Sequence, residues 1–308
     1  MKLNPEKVGF GRHETFHLRF SWLSKGFQAL QHDPLIFEKE DAVVDLGVGR
    51  NMVRSIRYWL LASQMVELDG LNLRPTVLGT ELLGPQGWDP YLEDESTIWL
   101  LHWLLCSTTS QATVNYWFFN HFHKTVFTSA EAQTAFADFC REKIKAKFSV
   151  TTAKKDVLVL LRMYTQSRPN KWMPLEEALD SPMALLGLVS HLSGNSSRTY
   201  QSQPDRRAEL PDFVVGFAVA QLFGARGAKS LPLEHLMYSR EGWIALGTVF
   251  RLTEAALLTQ LERLVRKFPG TLEMRESAGI HQLYLLSPLD PVGLLRSHYT
   301  YDRRQEAA

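Results

Sequence analysis

The residues best suited to chemistry lie in Arg50-Asn-Met-Val-Arg-Ser-Ile-Arg-Tyr-Trp-Leu60. At about 100° per residue, Met52, Val53, Ile56, Trp59 and Leu60 fall on one side of a helix, roughly 180° to 300° from Arg50. Arg50, Arg54 and Arg57 fall within about 40° of zero, and Asn51 and Tyr58 flank them at roughly 80–100°. Guanidiniums bind guanine edges in bidentate fashion and asparagine pairs with adenine. The same groups also grip phosphates without reading sequence, and a solvated helix face is the plainer alternative. Arg50, Asn51, Arg54, Arg57 and Tyr58 are therefore the candidate DNA-binding residues, with double-stranded DNA as partner. The strip has no acid on its own helix, so no internal partner is expected for it.

A second set could act on the phosphate. His13 and Glu14 are an acid–base or metal-binding pair in principle, although helix-start chemistry accounts for them equally well. Asp89, Glu93, Asp94 and Glu95 form an acidic cluster that could hold a divalent metal such as Mg²⁺ for phosphodiester hydrolysis. It also reads as an acidic helix N-terminus. His121 and His123 are two apart, which is not a helical ligand spacing. Arg263, Arg266 and Lys267 suit either phosphate or a helix C-terminus.

The elements that must position these groups are mainly helical. Phe16, Phe20, Leu23, Phe27 and Leu30 predict an amphipathic helix over 13–31. Further helices are expected over 37–45 and 50–66, then a hairpin turning at Asp69-Gly70. This is the order of a winged helix. Trp- and Phe-rich segments between 94 and 123 are apolar all round and predict burial. Thr128-Ser-Ala-Glu131 is a capping box for a helix to about 148, and another follows over 153–165. Residues 193–200 and 203–207 look like a long exposed loop. Helices are expected again over 211–223, 233–238 and 254–268, the last capped by Thr253. A hairpin around Ser277-Ala-Gly279 makes a second winged helix conceivable. The expected fold is mainly α, with strands only in short wings near 65–80 and 271–287. Segments 1–85 (winged helix), 86–150 (aromatic-rich and helical) and 151–308 (helical) are the expected domains.

Composition narrows the class. The net charge of +1 means that any DNA site comes from local clustering. Cys106 and Cys140 read as reduced core thiols of a cytoplasmic protein, and two cysteines argue against structural zinc. The start shows no signal peptide and no run reaches membrane-spanning length. Walker, Rossmann and hydrolase-elbow motifs are absent.

Phe10-Gly-Arg-His-Glu-Thr-Phe-His-Leu-Arg-Phe-Ser-Trp-Leu-Ser-Lys-Gly26, Leu46-Gly-Val-Gly-Arg-Asn-Met-Val53, Ile56-Arg-Tyr-Trp59 and Asp89-Pro-Tyr-Leu-Glu-Asp94 resemble a bacterial domain-of-unknown-function family encoded beside phosphorothioation genes. That family includes the nicking component of Ssp-type systems. The resemblance implies a DNA nickase in anti-phage defence, opening one strand for sulfur incorporation beside a cysteine desulfurase, an ATPase and a sulfur transferase. A non-catalytic DNA-binding or regulatory scaffold of the same system is the alternative. Within the matched motif, His13, Glu14, Arg19 and Lys25 are the candidate catalytic residues. A homodimer is among the assemblies to be expected.

Overall fold

The computed structural model describes residues 1–166, 181–192, 199–277 and 279–306. The described chain is about 52% helical, with one two-stranded and two three-stranded sheets, so the expected mainly α class is observed. No described helix is long and apolar enough to cross a membrane. The chain divides into two compact units, the larger formed by Leu3–Phe118 and Phe122–Gln203, the smaller by Met1–Lys2, Phe119–His121 and Pro204–Ala308.

In the larger unit, α1 (Phe20–His32) is followed by a 3-10 turn (Ile36–Glu38), α2 (Ala42–Asp45), α3 (Arg50–Ala62) and the hairpin β1 (Val66–Asp69)–β2 (Asn72–Pro75). The turn of that hairpin uses Gly70 at φ +63°, the left-handed region that glycine enters without strain. α1 crosses α3 closely because Gly26 presents no side chain. A Cβ there would lie 2.4 Å from the Ile56 Cγ2 atom. Trp22, Leu23, Phe27 and Leu30 of α1 and Val53, Ile56, Trp59 and Leu60 of α3 are all buried, as their helical spacing requires.

After α4 (Val77–Leu83), α5 (Glu95–Ser107) is buried on every side, and α6 (Thr113–His121) begins in this unit and extends beyond it. Strand β3 (Val126–Thr128) leads into α7 (Ser129–Lys143), whose capping box is formed as expected: the Thr128 hydroxyl accepts from Glu131 N, and the Glu131 carboxylate accepts from Thr128 N. α8 (Val150–Tyr164) and a 3-10 turn (Pro182–Leu186) precede β4 (Ser190–His191) and β5 (Thr199–Gln201). The sheet order is β3-β5-β4, antiparallel throughout.

The smaller unit runs α9 (Asp212–Arg226), β6 (Ser230–Pro232), α10 (Leu233–Met237), α11 (Leu246–Val249), α12 (Glu254–Lys267), β7 (Leu272–Ser277), β8 (Ile280–Leu285) and α13 (Pro291–Glu306). Its sheet order is β6-β8-β7. Thr253 caps α12 through Ala256 N, and the expected hairpin turns at Gly279 (φ +77°).

Two expectations are corrected. The first helix begins at Phe20, not at 13, because Glu14 and Thr15 have positive φ (49° and 68°) and the chain there forms tight turns. Strands are not confined to hairpin wings. β3 and β6 each pair with a strand fifty or more residues on, and segments of three residues are too short to display an alternating pattern. Of the expected loops, residues 193–198 lie outside the described residues.

Candidate nucleic-acid interface

Residues 9–16 form a loop held down by buried polar groups. Asp156, on α8, is 2% exposed and accepts from Gly11 N through both carboxylate oxygens (3.1 and 3.0 Å). Its Oδ1 also lies 3.0 Å from His13 Nε2. Gly11 has φ +67°, and a Cβ there would stand 2.6 Å from the Thr152 Cγ2 atom, so both backbone angle and space require glycine. A buried carboxylate needs such partners, since an isolated charge is costly to desolvate.

His13 is 3% exposed, and its Nδ1 accepts from Thr15 N at 3.1 Å. Nδ1 is therefore the accepting nitrogen, and Nε2 is the one placed beside the Asp156 carboxylate, close to it but outside hydrogen-bond geometry. The ring stacks on Trp59 at 6.2 Å and meets Tyr58 edge-on at 5.9 Å. With Nδ1 bonded to Thr15 N, Nε2 beside Asp156 and the ring covered, His13 fastens the loop to α3 and α8. Trp59 completes the seam by donating its indole N–H to Phe16 O.

What the loop presents outward differs. Arg12 is exposed and donates to Gln111 Oε1, and Glu14 is partly exposed, its Oε1 3.9 Å from Arg54 Nη1. On α3, Arg50, Asn51 and Arg54 are exposed and Arg57 half-buried. The expectation that this strip has no internal acidic neighbour is corrected: Glu14 approaches Arg54, and Glu38 approaches Arg57 at 3.8 Å. Both acids come from other elements, which the helix's own sequence does not reveal. At such separations and exposures these ion pairs contribute little and leave the guanidiniums able to change partner. Arg50 has no ion-pair partner among the described residues.

Tyr58 does not share the strip. It is 6% exposed, donates its hydroxyl to Gln111 O at 3.2 Å, and burial drives its pKa upward. Arg19 lies over the Trp22 ring at 5.1 Å, and Lys25 donates to Leu46 O at the rim of a cleft lined by Phe20, Ser24, Asp45 and Tyr91. The structure thus brings together Glu14, Arg54 and the His13 loop, while Arg19 and Lys25 have other contacts.

Asp89 is buried and accepts from Glu93 N and Asp94 N, and Asp94 accepts from Ser96 N as the cap of α5. Glu93 is exposed. No three His, Cys, Asp or Glu side chains gather as a metal-ion group among the described residues. In the smaller unit, Arg263 and Lys267 both engage Asp212, at 2.9 and 3.1 Å. Cys106 and Cys140 are free and buried, and burial pushes the Cys140 thiol up to about 12.

Asp156 is the residue that sequence reasoning missed. Its signal was present: it sits on the apolar stripe of α8 with Ala153, Val157, Leu160 and Tyr164. An acid on such a stripe needs a buried partner.

Over residues 10–299 the chain matches a family model described as a protein of unknown function, DUF4007. It is similar to a magnesium ion-bound SspB crystal structure, at 30% identity and a TM-score of 0.83, over 95% of this chain and 88% of that one. It is equally similar to an SspB crystal structure, at 30% identity and a TM-score of 0.83, over 96% and 90% of the two chains. No curated protein matches it.

Proposed function

The chain belongs to the DUF4007 family, and from that premise we propose that it is the DNA-handling component of an Ssp-type phosphorothioation system. In this reading, residues 20–75 act as a winged helix. α1, α2, α3 and the β1–β2 hairpin follow one another in the order of that motif. α3 is the helix laid against duplex DNA, with Arg50, Asn51 and Arg54 leading and Arg57 behind. The observation that carries the reading is the exposed guanidinium strip on a helix whose other side is core. The SspB likeness supports placement in such a system, and in this reading the partners are a cysteine desulfurase, an ATPase and a sulfur transferase.

The activity we assign is nicking of one strand. Water adds to a phosphorus, one P–O ester bond breaks, and a proton passes to the leaving oxygen. Glu14 is the group we assign as base toward that water, because it is partly exposed and borders Arg54, which would hold the phosphate. His13 supports the loop rather than exchanging protons. The SspB structure named for magnesium raises the question of a metal here. The carboxylates of Asp89, Asp94 and Asp156 are already occupied by backbone donors or by His13. The described residues do not form a ligand set.

The covered His13 and the isolation of Glu14 favour a second reading, a DNA-binding scaffold without catalysis. Conversion of supercoiled plasmid to open circle separates the two. Nicking by the wild-type chain and its loss in Glu14→Gln, with DNA affinity retained, is the expected result. Absence of nicking with and without Mg²⁺, alone and with the partner proteins, would leave the scaffold reading.

A further inference from the structure

We infer that the larger unit carries a second nucleic-acid surface, at the turn between α7 and α8 and along the exposed face of α8. Two independent features lead there. The first is connectivity. β3 is followed by α7 and α8, then by β4 and β5, and the last strand returns to lie beside the first. β6, α10–α12, β7 and β8 repeat this pattern in the smaller unit. A strand, helices and a returning pair in the order first–last–middle is winged-helix connectivity. In a helix-turn-helix, the second helix and the turn before it face the nucleic acid.

The second feature is charge. Lys143, Lys145, Lys147, Lys154 and Lys155 are all exposed. None of their side chains has a hydrogen-bond or ion-pair partner among the described residues. Nearby acids are otherwise engaged: Asp138 pairs with Arg141, Glu131 with Lys124, and Asp156 with His13. Glu142, and Glu6 beside Pro5, remain as exposed acids near this turn, against five lysines. On α8, Thr151, Lys154, Lys155 and Leu158 are exposed and fall within about 100° of arc. Lys145 N and Ala146 N both donate to Pro5 O, at 3.0 and 3.1 Å, and Ser149 caps α8 through Thr152 N. The turn is thereby fixed while its lysines project outward.

The corresponding helix of the smaller unit, α12, has Arg263 and Lys267 tied to Asp212 and exposes Glu254 and Glu262. Of the α12 cations only Arg266 is exposed without an ion-pair partner among the described residues, against five lysines at the α7–α8 turn and on α8. Lysine ammoniums are point charges that bind phosphate without reading bases, so the partner is a nucleic-acid backbone. The His13 loop joins this surface to α3: Asp156, next to Lys155, holds Gly11, and Glu14 meets Arg54. A duplex gripped by α3 would continue across the loop onto α8.

The inference rests on the DNA reading above, and one experiment distinguishes their failures. Fluorescence anisotropy of a labelled duplex is measured against salt for the full chain, for Lys147→Gln/Lys154→Gln/Lys155→Gln, and for Lys229→Gln/Arg240→Gln/Lys267→Gln as an equal-charge control. The lysine variant should lose two to three units of salt slope, at about 0.9 per phosphate contact, while the control keeps most of the wild-type slope. Unchanged affinity in the lysine variant, or an equal loss in the control, overturns this inference alone and would assign the lysines to an acidic protein partner or to bulk charge. No binding by the wild-type chain overturns both readings.

Discussion

At the scale of single residues, the molecule separates holding from contacting. His13 and Asp156 are buried and joined, and the residues between and beside them, Arg12 and Glu14, are turned outward. Removing Asp156 leaves Gly11 N without its acceptor and His13 without its neighbouring carboxylate in a dry site. Asp156→Ala should therefore lower unfolding free energy by about 3 kcal/mol, read by urea denaturation. Asp156→Asn, which keeps an oxygen for Gly11 N, should cost less. Equal effects of the two would mean that volume, not the carboxylate, matters at this position. The arginine strip was legible because α3 has clean periodicity. Tyr58 was not, because its burial comes from the loop over residues 9–16 and from Gln111, distant in sequence. Glu14 and Glu38 beside the strip were hidden for the same reason: an ion pair between elements leaves no spacing to read.

At the scale of elements, local signals were reliable and non-local ones silent. The capping box at Thr128 and the cap at Thr253 appear where the sequence puts them, since capping involves neighbours only. Thr128→Ala should destabilise α7 by about 1 kcal/mol, checked by thermal melting. The Lys124 and Thr128 hydrogen bonds hold Glu131 at about 2, below its ordinary 4.5. Because the folded value is depressed, this contribution is fully present above about 4.5 and is lost as pH falls through about 2. Urea midpoints measured between those pH values should fall more steeply for the wild type than for Glu131→Gln. Parallel curves would contradict the assignment. The start of α1 was misread because Phe16 continues the apolar stripe while Glu14 and Thr15 adopt positive φ, which periodicity does not encode. β3 and β6 were missed because three residues give no alternation.

At the scale of the whole molecule, the mainly α class and the family were both accessible from sequence: the first from helix-length periodicity, the second from the motif around Phe10–Gly26 and its companions. The path of the sheets was not, since strand order is a property of pairing across the chain. The central claim is that α3 is the element laid on DNA, with the His13 loop beside it. The most direct measurement is duplex affinity, across a range of salt, for Arg50→Ala, Arg54→Ala, Arg57→Ala and the triple variant, with melting temperature recorded for each. Loss of about 1–3 kcal/mol for a base-reading arginine, or a salt slope shallower by about one unit for one on phosphate, is the expected result. Melting temperatures should hardly move for Arg50→Ala and Arg54→Ala, because exposed substitutions shift stability by about 0.5 kcal/mol or less. Affinity and salt slope unchanged in the triple variant would contradict the account and remove α3 from the interface.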